Sequence, residues 1–89
     1  MAEYDSAEAY FKQSIKIYER LATLDLQKFG EDLALLHHNF GVFLFSMKKD
    51  QVVAKDELIA SLSVYKKLTD KNYILEITAI QAIIDSFTK

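Results

Sequence analysis

The sequence predicts an all-α fold built from four helices, and three observations carry that prediction. Apolar residues recur at alternating steps of three and four along separate stretches, the spacing that gathers them on one side of an α-helix. Proline is absent and glycine occurs only at Gly30 and Gly41, so the turn signals that separate short strands are missing. The polar breaks between stretches carry Asp, Ser or Asn, whose side chains accept hydrogen bonds from the unpaired amides of an opening helical turn.

The first helix is expected over residues 5–24, capped by Asp5 or Ser6. Ala7, Phe11, Ser14, Tyr18 and Leu21 form its inward line, and Tyr10, Ile15 and Ile17 widen the apolar band beyond what one neighbour covers. Glu3, Asp5 and Glu8 come early and Lys16 and Arg20 late, the order that complements the helix dipole. Residues 25–30 read as a connection in which Gly30 is free to take a positive φ and Phe29 tucks under the next helix.

The second helix, expected over residues 31–47 from Glu31 or Asp32, is the central one. Leu33, Leu36, Phe40, Phe43 and Met47 mark its core face, while Leu35, Val42, Leu44 and Phe45 make other sides apolar too. Gly41 costs a helix interior about 1 kcal/mol, so a neighbouring helix is expected to approach closely there. A tight turn at Lys48–Asp50 makes the third helix (50–68, capped by Asp50) its antiparallel neighbour. That helix buries Ala54, Leu58, Ser61, Leu62, Tyr65 and Leu68. The fourth helix (72–88) follows Asp70 or Asn72 and carries the stripe Tyr73, Ile77, Ile80, Ile84 and Phe87.

With 89 residues the chain forms one small domain with a thin stability margin. Cysteine is absent, which excludes a disulfide framework, a thiolate zinc site and a catalytic thiol. No apolar run approaches the roughly 20 residues of a membrane span, and the amino terminus lacks a secretory pattern, so a soluble cytoplasmic protein is expected, with no membrane partner. The formal charge of −2 comes from interspersed acids and bases without a basic stripe, so nucleic acid is not expected as a partner.

The chain also repeats. Residues 14–21 (SIKIYERL) match residues 61–68 (SLSVYKKL), with Ala7 and Phe11 falling on Ala54 and Leu58. Phe29, Leu33, Leu36, Phe40 and Phe43 fall likewise on Tyr73, Ile77, Ile80, Ile84 and Phe87. Helix pairs repeated at such a period mark an α-solenoid, in which each unit buries its apolar side by stacking on the next.

Asn39-Phe40-Gly41 with Leu44, followed by Ala54 and Leu58, resembles the tetratricopeptide repeat signature, and Ala7 with Phe11 resembles its second-helix half. The segment holding Phe29 and then LLHHNFG is most similar to the longer-period repeats of the kinesin light chain type. The resemblance covers nearly the whole chain and implies a tetratricopeptide-like antiparallel stack, an α-solenoid fragment in B-A-B-A order. Its departures are an extra residue in the turn at Lys48–Asp50, Asp85 where the second helix has Gly41, and Thr88 where it has Leu44. What it implies for function is a protein–protein interaction adaptor or scaffold. A partner peptide or helix would meet the A-helix side, where Leu35, His38, Asn39, Val42, Phe45 and Ser46 fall. These residues lack the lysine and arginine that clamp an acidic carboxyl terminus in some relatives. Alternatively they meet another helix.

No catalytic residues are expected: nucleophile-elbow, phosphate-loop and HExxH patterns are absent. The only histidines, His37 and His38, point about 100° apart on a helix and cannot chelate one metal together, so neither metal nor cofactor is expected. His37 reads as an interhelical packing residue and His38 as a solvated or peptide-facing one. The outermost helices leave Tyr10, Ile15, Ile17, Leu24, Ile74, Leu75 and Ile83 partly exposed in an isolated stack. Self-association through Tyr10, Ile17, Leu24, Ile74 and Ile83 follows, the first helix of one chain standing in as the missing partner of the last helix of another, in a closed dimer or by exchange of helices, as does the competing expectation that neighbouring repeats of a longer array cover both ends. A purely structural homo-oligomerisation module, a homodimer without separate ligand, is the alternative function.

Overall fold

The computed structural model describes residues 2–87, and among them the chain is all-α, without a strand. Its helices are α1 (Ala2–Leu24), α2 (Leu26–Ser46), α3 (Gln51–Lys67) and α4 (Ile74–Ser86). Each packs chiefly on its neighbour in sequence: α1 on α2, α2 on α3, α3 on α4. The Cα atoms span 38 × 30 × 15 Å, and the shortest dimension leaves room for two helix layers about 10 Å apart. No helix among the described residues is long and apolar enough to cross a membrane.

The expected connection at 25–30 shrinks to one residue. Asp25, extended at φ −152° and ψ 91°, ends α1 and caps α2, its carboxylate accepting from the Lys28 amide at 3.2 Å. α2 therefore starts earlier than expected, because Leu26 and Phe29 find core partners on both sides of the bend and nothing between them breaks a helix. Gly30 lies inside that helix without a positive φ, and its missing side chain makes room for Leu68. α1 likewise starts before Asp5 and Ser6, which sit within its opening turns rather than capping it.

The turn from α2 to α3 supplies what the sequence shows only as an extra residue. The Lys49 amide donates to the Leu44 carbonyl at 3.0 Å and the Lys48 amide to Phe45 at 3.2 Å. Those two bonds close a Schellman end, whose left-handed position is normally glycine and here is Lys48 at φ 55°. Met47, expected on the core face, is the C-cap and is exposed. Asp50 caps α3 as expected, accepting from Val53 at 3.3 Å, and is itself left-handed at φ 39°. Replacing Lys48 by glycine relieves the left-handed strain, and Lys48→Gly is expected to raise stability by up to about 1 kcal/mol, measured by urea unfolding. Before α4, Asn72 accepts from the Ile74 amide at 3.0 Å, but Tyr73 holds the cap position and Asp70 stays in the exposed turn. Thr88, expected at the end of the fourth helix, lies outside the described residues.

The core is in two parts bridged by α2. One joins Ala34, Leu58, Leu62, Tyr65 and Leu68 to Tyr73, Ile80 and Ile84 of the α4 end, with the rings of Tyr65 and Tyr73 5.1 Å apart. The other joins Ile15 and Ala22 of α1 to Leu33, Phe40 and Leu44 of α2 and Ala54 of α3. Ile15 is thus buried, not exposed, and the expected inward line of α1 (Ala7, Phe11, Ser14, Tyr18, Leu21) is only half-buried. The stripe expected on α3 is buried throughout. Gln27 ties the start of α2 to the end of α3, donating to the Lys67 carbonyl at 3.2 Å and accepting from the Thr69 amide at 3.0 Å.

Candidate functional site

Two helices flank α2, the end of a third reaches it, and one strip of it stays open. α1 covers one flank through Phe11 on Phe40 (5.3 Å between rings) and Tyr4 on Phe43 (5.1 Å). α3 covers the opposite flank, where an added side-chain carbon at Gly41 would lie 3.0 Å from the Ala54 carbonyl and 2.8 Å from Leu58. Ser61 donates to the Ala34 carbonyl there at 2.7 Å, which satisfies the one buried hydroxyl of that contact. The α4 end reaches a third side, with the Phe45 and Phe87 rings 4.9 Å apart. Along the strip that remains, Leu35, Asn39 and Ser46 are exposed and Val42 is half-buried against the core.

The six residues expected to meet a partner divide accordingly. Leu35, Asn39, Val42 and Ser46 share one line of the helix, while His38 is half-buried and Phe45 is partly occupied by Phe87 at the end of α4. Beside the line runs an open groove of about 270 Å³ between α1 and α2, lined by Tyr10, Ser14, Tyr18, Asp32, Leu35, Leu36 and Asn39. The α1 contribution of Tyr10, Ser14 and Tyr18 was not expected as part of a binding face. Its signal is the four-residue spacing of the three hydroxyls, which stacks them on one side of a helix. The lining can donate to and accept from a peptide backbone through hydroxyls and a carboxamide, with Leu35 and Leu36 as apolar ground. Its one charged group is Asp32, so the groove disfavours an acidic segment.

On the other side of α2, His37 is buried and its Nδ1 lies 2.6 Å from Oε1 of Glu57 on α3. His37 is the interhelical residue its position promised, with a carboxylate partner the local sequence does not reveal. The pair sits at the floor of a cleft of about 350 Å³ whose rim includes Lys12, Lys16 and Glu19 of α1. That lining holds an imidazole, carboxylates and ammonium groups without a hydroxyl or thiol nucleophile. Among the described residues no three His, Asp or Glu side chains converge as metal ligands.

His38 is half-buried, and the loss of water around its ring lowers its pKa below the ordinary 6.5. The unfolded chain therefore binds a proton there more readily than the folded one, so this contribution to stability is complete above about pH 6.5 and is lost as pH falls through the folded pKa. His38→Gln is expected to flatten that part of the pH dependence, read as a smaller difference between urea midpoints in mildly alkaline and mildly acidic buffer.

Of the residues expected to mediate self-association, Tyr10, Ile17 and Leu24 of α1 and Ile74 of α4 are exposed. Ile83 is half-buried against the core and offers little free surface. Compared with models of known protein families, with curated proteins and with solved structures, the chain matches none.

Proposed function

We propose that this chain is a tetratricopeptide-like protein-interaction module, an adaptor or scaffold without catalytic activity that holds a peptide of a partner on the side of α2. One observation carries the reading: the groove between α1 and α2 places hydroxyl and carboxamide groups of Tyr10, Ser14, Tyr18 and Asn39 around Leu35 and Leu36. Backbone-directed hydrogen bonds beside apolar ground are what an extended peptide requires. With Asp32 as the groove's charge, the partner segment is neutral or basic and carries an apolar side chain for Leu35. The same proposal puts the module in the cytoplasm, where a chain without cysteine loses nothing to reduction.

The test is selection from a displayed peptide library, followed by binding to a variant carrying Leu35→Ala and Asn39→Ala. Both side chains are exposed, so helicity is expected to persist while affinity drops at least tenfold. Selected peptides that bind the variant equally well would refute the groove, and a library yielding no binder would refute the adaptor. A second reading, the homo-oligomerisation module, is favoured by a separate observation: Tyr10, Ile17 and Leu24 leave one side of α1 apolar and open.

A further inference from the structure

We propose that two copies of this chain pair through α1, antiparallel about a two-fold axis near Gln13 and Ser14; this deepens the self-association reading and rests on it. α1 carries a second stripe beside the one that meets α2. Glu3, Ala7, Tyr10, Ser14, Ile17, Leu21 and Leu24 follow one another at unbroken steps of four and three along the whole helix. A mean period of 3.5 residues is the pattern of helices that pair side by side in a coiled coil. Within this stripe Tyr10 is 63% exposed, Ile17 54% and Leu24 81%, while Ala7, Ser14 and Leu21 are half-covered by the α2 flank.

Charge selects the occupant and its direction. The opening turns of α1 hold Glu3, Asp5 and Glu8, whereas from Lys12 onward it carries Lys12, Lys16 and Arg20 against the one acid Glu19, so the helix runs from net negative to net positive. Laid antiparallel about that axis, the acidic half of one copy meets the net-positive half of the other at both ends of the contact: Arg20 comes level with Ala7 of the second copy, within a turn of Glu3, while Glu8 comes level with Glu19. The helix dipoles also oppose favourably in that arrangement. Parallel pairing would set acid against acid and base against base.

The competing arrangement, in which α4 of one copy stacks on α1 of the next as α2 stacks on α3, fails on the residues it would bring together. The internal repeat puts Ile74, Thr78, Gln81 and Asp85 of α4 where α2 has Gly30, Ala34, His37 and Gly41. At Gly41 even a methyl carbon would lie 2.8 Å from Leu58. Asp85 in that place would press a carboxylate onto Ala7 and Phe11, beside Glu3 and Glu8. α4 is therefore a poor partner for α1 of another copy, and the open stripe of α1 is left for a symmetric contact, which ends at two copies. The stripe and the groove share Tyr10 and Ser14, so they share an edge.

Because the native chain has no cysteine, single cysteines report the geometry directly. Light scattering on the full chain at high micromolar concentration is expected to give twice the 10.2 kDa chain mass, falling to one chain for Ile17→Lys with helicity unchanged. Gln13→Cys, close to the axis, is expected to form a disulfide-linked dimer under mild oxidation, while Leu24→Cys alone does not and links instead to Glu3→Cys in a mixture. Leu24→Cys linking to itself as readily as Gln13→Cys would overturn the antiparallel axis. A dimer dispersed by Leu75→Lys but not by Ile17→Lys would overturn the α1 contact and leave self-association standing. A one-chain mass for the native protein throughout would overturn both.

Discussion

Gly41→Leu is expected to lower the free energy of unfolding by about 3 kcal/mol, the upper end of what overpacking a filled core costs. Gly41 stands where α2 crosses α3 most closely, and its neighbours there are the Ala54 carbonyl and the branch point of Leu58, both without exposure to solvent. Backbone oxygen cannot step aside, and Leu58 meets the added carbon at its branch point, not only at a methyl that could swing away. A domain of 89 residues has a stability on the order of 5–10 kcal/mol, so the loss is a large share of it. Even Gly41→Ala, which gains about 1 kcal/mol of helix propensity, is expected to come out destabilised by about 1–2 kcal/mol. Gly30 is the control: its added carbon meets the terminal methyls of Leu68 (2.6 Å) and Leu26 (3.2 Å), which can rotate away. Gly30→Ala should therefore stay within about 1 kcal/mol of the native chain. Equal melting temperatures for Gly41→Leu and the native protein would show that the two helices can separate at that crossing.

The two glycines show where sequence alone suffices and where it does not. At Gly41 an apolar stripe surrounds the glycine on a strongly periodic helix, so close approach is the one use left for it. Gly30 stands among Gln27, Lys28 and Glu31, and that company reads as a turn; only the bend at Asp25, with Leu26 and Phe29 held in the core, turns it into a helical residue. Lys48 is illegible for a related reason, because its left-handed role is ordinarily announced by glycine. On α1, the rotation that buries Ile15 in place of Ala7 and Ser14 comes from which flank α2 takes, a tertiary choice between two overlapping stripes. For the groove, the α2 residues Leu35 and Asn39 follow from periodicity, whereas Tyr10, Ser14 and Tyr18 join them only when α1 is set beside α2.

Removing one member of the His37–Glu57 pair is expected to cost more than removing both. The side chains are 8% and 21% exposed, and with the carboxylate ionised the 2.6 Å contact has the imidazole Nδ1–H donating to it. His37→Leu leaves that carboxylate facing an apolar flank, and Glu57→Leu leaves the buried Nδ1 without an acceptor; each is expected to cost about 2 kcal/mol, within the range for a hydrogen bond to a charged group. The double replacement, apolar on both sides, should lie within about 1 kcal/mol of the native chain, so the urea-unfolding cycle shows a coupling of several kcal/mol. Losses that simply add would mean that the pair contributes nothing as a pair. Its contribution is to register. His37 with Glu57, Ala34 with Ser61 and Gly41 with Ala54 keep one register, each α2 member lying three or four residues farther from the turn at Lys48–Asp50 than its α3 partner, the rungs of one antiparallel ladder. Sliding α3 by one helical turn would still bury leucine against leucine, but it would put the Glu57 carboxylate beside Leu33 or Gly41, where nothing donates to it. Apolar contact draws the two helices together; the buried pair, the Ser61 hydroxyl and the space at Gly41 decide where they stop, and with that which residues of α2 remain on the open strip.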